Sequence, residues 1–261
     1  MRIKKRPQAF PFWQPWLIPI VVLVTWQVLG MTGWLSQRIL PAPLEVIQAL
    51  IDMIKDGTIV EHVAISTKRA FLGFLIGGSI AFVLGLLNGV FPVAERYIDS
   101  SVQMFRTIPH LAMIPLVIMW FGIGETSKLF LVSLGVAFPI YLNTFHGIRS
   151  VDPGLIEMGK VYGLKGFSLF SKVILPGALS SILLGVRFSL GIMWITLIVA
   201  ETIAADSGIG YMASHAREFM HMDVVVLCVI LYALLGKLSD LAAKYLELRW
   251  LKWHHNYLKR S

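Results

Sequence analysis

Long apolar stretches alternate with short polar ones along this chain, and the lengths of the apolar stretches decide what they are. About 20 mostly apolar residues in a helix cross about 30 Å of hydrocarbon. Residues 16–35 form a first such stretch, and residues 70–91 a second that carries no charge. Residues 107–123 are also charge-free, but Pro109 and Pro115 predict a kinked helix, or one that starts earlier, near Asp99. Residues 129–148, 179–200 and 222–242 complete six predicted spans. Arg187 interrupts the fifth. Asp223 stands at one end of the sixth, and Lys237 can snorkel at the other.

Two polar intervals have patterns of their own. Residues 36–66 are too polar to span. Pro41 and Pro43 mark an extended start, and Leu44, Ile47, Leu50, Ile51 and Ile54 recur at helical spacing, which predicts a short amphipathic helix outside the membrane. In residues 149–178, Asp152-Pro153 is a helix start, since Asp caps free N–H groups and proline suits the first turn. Leu155, Met158 and Tyr162 share a face, Glu157 and Lys160 lie to the side, and Gly163 ends the helix. A second short helix is expected over Phe167–Leu175, stopping at Pro176-Gly177. Such a loop can dock on a soluble partner or be an ordinary structured connection. No internal repeat or linker divides the chain into two folded domains.

Composition supports the membrane reading. Of 261 residues, 56% are hydrophobic and only 15% charged, against about 25% charged in typical soluble domains. Mean hydropathy is +0.73. Disorder and an ordinary soluble enzyme are both disfavoured. The net charge of +8 raises nucleic-acid binding, but the distribution of the basic residues argues against it. Arg2, Lys4, Lys5 and Arg6 precede the first apolar stretch; Arg149, Lys160, Lys165 and Lys172 occupy the 149–178 loop; Lys244, Arg249, Lys252, Lys259 and Arg260 lie in the C-terminal part. The opposite side carries fewer, with Arg38, Lys55, Lys128 and Arg217. The excess of Lys and Arg places both termini and the 149–178 loop in the cytoplasm. The basic start resembles a signal peptide, but no small-x-small site follows, so an uncleaved anchor is expected. The single cysteine, Cys228, excludes an intramolecular disulfide.

Several chemistries find no support. There is no Gly-x-x-x-x-Gly-Lys-Ser/Thr to hold nucleotide phosphates and no His-Glu-x-x-His. His254 and His255 are adjacent, which puts them on different helix faces, and a solvated tail explains them better than a metal. Gly208-Ile-Gly210 followed by Ala213 fits a dinucleotide fingerprint by spacing but lacks the βαβ context; a turn where the fifth span ends explains the glycines better. Gly77, Gly78, Gly85 and Gly89 in the second span read as helix-packing positions. Met104, Met113 and Met119 read as packing residues too.

The 149–178 loop carries the specific signal. Glu157-Met158-Gly159, then Gly163, then Val173-Ile174-Leu175-Pro176 matches the E-A-A-x3-G-x9-I-x-L-P pattern of the EAA loop of ABC importer permeases. Met158 and Gly159 replace the two alanines and Val173 replaces isoleucine. The resemblance extends over roughly residues 35–250. Phe105-Arg106-Thr107-Ile108-Pro109-His110, Ile114-Pro115-Leu116, Trp120-Phe121-Gly122-Ile123-Gly124, Phe145-His146-Gly147-Ile148-Arg149 and Thr196-Leu197-Ile198-Val199-Ala200-Glu201 resemble the sulfonate, taurine and nitrate permease group. Trp34-Leu35-Ser36, Ile39-Leu40-Pro41 and the segment from Ala213 to Phe219 point most closely to its aliphatic sulfonate members.

The resemblance implies an all-α polytopic membrane protein with about six transmembrane helices, of the type I importer permease kind. It divides the chain into a cytoplasmic tail (1–15), a first transmembrane helix (16–35), a periplasmic amphipathic segment (36–66), a permease core (67–245) holding the coupling loop 149–178, and a second cytoplasmic tail (246–261). The implied function is a non-enzymatic transport subunit in the bacterial cytoplasmic (inner) membrane, importing aliphatic sulfonates. Its implied partners are a cytoplasmic ABC ATPase dimer that holds ATP and Mg, a periplasmic or lipid-anchored substrate-binding protein, membrane lipid and a second permease copy in a homodimer. No cofactor, metal or nucleic acid is expected on the chain itself. Glu157, Met158, Gly159, Gly163, Leu175 and Pro176 would couple it to the ATPase. An anion crossing hydrocarbon needs polar or cationic lining, for which Arg106, Thr107, His110, Asn143, His146 and Arg187 are candidates. Arg106 and Arg149 can equally be interfacial anchors, and Arg187 either snorkels or is a buried counter-charge. Glu201 is a possible partner for a basic residue or for the binding protein. The rival readings are import of taurine, nitrate or another small anion by the same architecture, and an ion-coupled secondary transporter. A membrane enzyme would need clustered His or acidic residues at one face, and none is convincing.

Overall fold

A computed structural model describes residues 14–36 and 39–251. Over these residues it is helical, with no strand. The helices are α1 (Gln14–Met31), α2 (Pro43–Lys55), α3 (Thr58–Val90), α4 (Pro92–Arg106), α5 (His110–Phe121), α6 (Glu125–Arg149), α7 (Pro153–Val161), α8 (Gly166–Ala204), α9 (Ile209–Glu218) and α10 (Met222–Trp250). The tails expected over 1–15 and 246–261 lie largely outside the described residues.

Among the described residues α3, α6, α8 and α10 are long and apolar enough to cross a membrane. Helices α4 and α5 make a fifth crossing if taken together, bent by 80° at the break that contains Pro109. Proline cannot donate there, and it pushes the residue before it away from helix. The described apolar part of α1 is shorter, Trp16–Met31. It is exposed from Trp16 to Thr25 in the single chain, as expected of a helix that faces lipid or another subunit, and its last turns meet α2, where Gly30 packs on Ala42.

Three helix boundaries differ from the sequence expectation. Helix α3 begins at Thr58, so the end of the 36–66 interval belongs to the long helix, and the amphipathic part is α2 alone. Val46 of α2 packs with Ile59 and Leu227, while Leu44, Ile47, Ile51 and Ile54 face outward. Helix α10 continues to Trp250, beyond residue 242. The expected stop at Pro176-Gly177 does not occur: helix runs unbroken from Gly166 to Ala204. A π turn over Phe170–Ile174 precedes the proline, which then takes a first-turn position in the α-helical stretch that follows. The widened turn accommodates a residue that lacks an N–H, so proline marks a bulge here rather than an end.

Helix α6 is the axis of the bundle, packed between α3 and α8. On α3, Gly73, Gly77, Ala81, Gly85 and Gly89 recur every fourth residue. A Cβ at Gly77 would meet the Ser133 carbonyl oxygen at 2.1 Å, and one at Gly85 the Tyr141 carbonyl oxygen at 2.9 Å. The absent side chains let the two backbones touch, which is how membrane helices gain packing without a hydrophobic drive between them. Gly147 and Gly185 do the same between α6 and α8, against Ser181 and Asn143. The main core lies where Val132, Val136, Leu190, Met193, Trp194, Leu197, Cys228 and Tyr232 meet.

Gly77→Ala should therefore lower the melting temperature of the detergent-purified protein, by the overpacking cost of about 1–3 kcal/mol. Gly191→Ala, whose Cβ meets nothing within 4 Å, should leave melting unchanged or raise it slightly. Equal melting of the two variants would contradict the close α3–α6 contact.

Candidate functional site

Helix α7 stands alone at one end of the bundle, hereafter the loop end. Asp152 Oδ1 accepts from Gly154 N at 2.8 Å and caps it, as its position before Pro153 predicts. The other terminus is a Schellman stop. Leu164 N donates to Gly159 O at 3.0 Å and Gly163 N to Lys160 O at 2.9 Å. Gly163 has φ +81°, a conformation that favours glycine. A Cβ at Gly159 would come within 2.8 Å of Leu169 Cδ1 and 3.1 Å of Val173 Cγ2. Each spaced position of the motif thus has a physical task. Gly159 is small because α8 crosses it, Gly163 turns the chain, Val173 packs on Gly159, and Leu175 joins Ile148, Val151, Ala178 and Ile182. Pro176 follows the π turn.

What α7 leaves outside is apolar. Val161, Tyr162 and Phe167 are 86%, 79% and 81% exposed, and Met158 and Leu155 are exposed beside them. Glu157 is exposed and forms no ion pair with a described residue. An exposed apolar face beside a carboxylate on a short capped helix is a surface that can receive a partner protein.

The polar residues suggested for a pathway are not gathered in one place within the chain. Arg106 and Thr107 are exposed at the α4–α5 break. Thr107 lines a surface groove of about 900 Å³ with Ser100, Ser101, Gln103, Met104 and Phe105. His110 is half-buried, with Nε2 3.1 Å from Thr196 Oγ1 on α8. Asn143 Nδ2 donates to Pro139 O at 2.9 Å, and its side chain packs on Gly185. His146 is exposed near the loop end. Arg187 Nε donates to Asp240 Oδ1 of α10 at 2.6 Å, so it is a paired counter-charge between α8 and α10. Arg149 pairs with Glu95, which ties α6 to α4.

The far end of the bundle holds a polar cluster whose α3 and α8 members lie more than a hundred residues apart in the sequence. Arg69 on α3 and Glu201 on α8 are both buried, with Nη1 2.9 Å from Oε1. The Glu201 carboxylate also accepts from Ser66 Oγ (2.8 Å), Gly210 N (3.0 Å) and Tyr232 OH (2.9 Å). Arg69 donates further to the Ser207 carbonyl and hydroxyl oxygens, and through Nε to Glu125 Oε2 at 2.8 Å. Buried Lys128 reaches Glu125 Oε1 at 3.0 Å. The glycines of the 208–210 turn are required by this cluster. A Cβ at Gly208 would lie 2.4 Å from Glu201 Oε1, and one at Gly210 2.6 Å from Glu201 Cβ. Of the two roles open to Glu201 in the sequence, partner of a basic residue or of the binding protein, the buried pair with Arg69 fits the first. The available signal was a charged residue directly preceding a long apolar run and an acid inside another.

A family model described as "Binding-protein-dependent transport system inner membrane component" matches residues 73–252. The chain is 57% identical to the Putative aliphatic sulfonates transport permease protein SsuC of Escherichia coli (strain K12), covering 93% of this chain and 92% of that protein. It is 43% identical to the protein of the same description from Bacillus subtilis (strain 168), covering 98% and 93%. In fold it is similar to a chain of the MetNI methionine ABC transporter in an inward-facing conformation. That likeness has a TM-score of 0.53 at 24% identity, over 70% of this chain and 91% of the other.

Glu201→Ala should leave Arg69 with Glu125 as its remaining carboxylate and take the shared acceptor from Ser66, Gly210 N and Tyr232, at a cost of about 3 kcal/mol. Size-exclusion profiles and thermal melting of the purified protein would show this as loss of the folded peak. The double variant Arg69→Met/Glu201→Ala should be more stable than Glu201→Ala alone. Additive losses would show that the two charges do not compensate each other.

Proposed function

The chain belongs to the binding-protein-dependent transport system inner membrane components, and from that premise we propose that it is the permease through which an ATP-driven importer carries aliphatic sulfonates into the cell. Membership makes it a multi-pass inner-membrane transport subunit that works with an ATPase and a substrate-binding protein, and not itself an enzyme. The substrate reading is supported by the names of the two relatives, which it resembles over nearly its whole length. The observation that carries the mechanism is α7: a capped helix with an apolar exposed face, held against α8 by Gly159.

In this reading Glu157, Met158, Gly159, Gly163, Leu175 and Pro176 form the ATPase-coupling element. Met158, Val161 and Tyr162 seat in the ATPase, and Glu157 meets a donor there. ATP and Mg are bound and consumed on that partner. Both termini and the loop end face the cytoplasm, as the excess of Lys and Arg there supports. Residues 39–57 and the far end, with α9, then face the binding protein. Motion of α7 passes into α8 through the packing of Gly159 on Leu169 and Val173, and from there along one continuous helix from Gly166 to Ala204.

Two copies of the chain make the pathway between them, embedded in membrane lipid. The exposed apolar groove of about 400 Å³ over Ile76, Gly77, Ile80, Leu129, Phe130 and Leu134 offers a face for the second copy. Arg106, Thr107 and His110 lie at the bent crossing and form the core of the path, with His146 toward the loop end. Asn143 and Arg187 act through their neighbours on α8 and α10. The groove at Thr107 combines hydroxyl and amide groups with Met104 and Phe105, which suits a ligand with a sulfonate head and an alkyl tail.

The test is uptake by proteoliposomes holding this chain, its ATPase and its binding protein, with labelled alkanesulfonate and competing taurine and nitrate. Uptake should require ATP and the binding protein, and alkanesulfonate should outcompete the others. Glu157→Ala and Gly163→Pro should each reduce uptake at least about tenfold, the equivalent of about 1.4 kcal/mol of coupling. Proline cannot adopt the positive φ that Gly163 has. Transport without the ATPase would contradict the reading; preferred uptake of taurine or nitrate would change the substrate only.

A further inference from the structure

The far-end cluster contains one carboxylate whose position differs from the other. Glu201 is fully enclosed, whereas the Glu125 side chain is 56% exposed although both cations it touches, Arg69 and Lys128, are buried to within a few per cent. Arg69 Nε and Nη2 hold the two oxygens of Glu125 in a fork, and Lys128 Nζ adds a third contact at 3.0 Å. Arg69 Nη1 is engaged separately by Glu201 and by the Ser207 carbonyl. If Glu125 turned outward, Arg69 would keep a counter-ion, and its fork and the Lys128 ammonium would be open to another anion.

The surroundings fit such an exchange. A pocket of about 410 Å³ opens at this point, with Lys68, Arg69, Glu125 and Ser207 as its polar lining and Ile65, Leu72 and Leu129 as its apolar wall. Asp206 lies next in sequence to Ser207 and accepts from Ser207 Oγ at 3.2 Å. Glu125 opens α6, so the site also lies at a helix N-terminus, where negative charge is favoured. A guanidinium fork matches two oxygens of a sulfonate as it matches two of a carboxylate.

We propose that Arg69, Lys128, Lys68 and Ser207 form a receiving site for an anionic head group at the far end of the bundle, and that Glu125 is its resident, displaceable counter-ion. The arriving anion takes the fork and the ammonium, its alkyl part lies on Leu72 and Leu129, and Glu125 swings to solvent. When the anion moves on, Glu125 returns, so the two buried cations are never left without a partner. The site gives the far end a preference for anions that does not depend on the binding protein. That the anion is a sulfonate rests on the function proposed above.

Equilibrium binding of radiolabelled butanesulfonate to the permease–ATPase complex in lipid nanodiscs, without binding protein, tests it. Glu125→Gln removes the competing charge and should tighten binding about tenfold; Lys128→Gln should weaken it about tenfold, as for one charge-assisted hydrogen bond. Lys128→Arg should restore it. Melting curves recorded in parallel establish that each variant is folded. A purely structural ion pair predicts no such opposition, so equal affinities in both variants, or equal weakening, would overturn the proposal. ATP-driven uptake by the wild-type complex with binding protein is read separately: its absence would reject the importer reading, while opposite shifts in binding would still establish the anion site.

Discussion

The Arg69–Glu201 pair is the constraint around which the far half of the molecule is arranged. Two full charges inside an apolar bundle are tolerable only if their remaining donors and acceptors are also satisfied. That requirement recruits Ser66 from α3, Tyr232 from α10, the backbone of the 208–210 turn and, through Arg69, Glu125 at the head of α6. The chain after α8 reverses sharply because Gly208 and Gly210 must pass over a carboxylate with no room for a Cβ. Helix α9 is laid against α8 and α10 by the same turn. Five elements are thus joined at one point, with geometry set by hydrogen bonds, while the glycine row along α3 fixes their spacing farther down.

The loop end is organised by different means. There the fixed elements are a capped start, a Schellman stop and one small residue under a crossing helix. No charge need be buried to hold α7, so its surface is left for a partner. Between the ends, α8 is continuous, and α6 is packed along its length against α3 and α8. Helix α7 reaches α8 by a glycine turn at Gly163 and by the contact of Gly159 with Leu169 and Val173, and the far end of α8 is tied at Glu201, directly and through Arg69, to four neighbouring elements. The bent α4–α5 crossing packs on that block through Ile114 and Val117 against Leu131 and Ala200, and is tied to it by Arg149–Glu95, Tyr141–Asp99 and His110–Thr196.

Much of this was legible in the sequence, for reasons that can be named. Apolar length located the spans because hydrocarbon thickness sets helix length. The cap at Asp152 and the stop at Gly163 were legible because they depend only on neighbouring residues. Pro176 misled because a local rule, that proline ends helices, was overridden by a π turn that no local composition marks. Pro109 was read as a kink, and the 80° bend is larger than that word conveys. The Arg69–Glu201 pair was out of reach for another reason: 132 residues separate its members, and only the packing of α3 beside α8 brings them together. Arg69 also adjoins Lys68 at the edge of an apolar stretch, where a basic residue reads as an interfacial anchor. The role of Arg187 depends on Asp240, which lies 53 residues away and meets it only where α8 and α10 pack.

The coupling proposed above requires α7 and the far end of one chain to move as a single block. Spin labels at Lys160 on α7 and Glu218 on α9, both exposed, would measure it in the assembled transporter by pulsed dipolar spectroscopy. The account predicts that the distance between these labels within one chain keeps the same distribution in nucleotide-free and ATP-bound states, while distances between chains shift. A change in the within-chain distance beyond its own width, with the between-chain distances fixed, would contradict it.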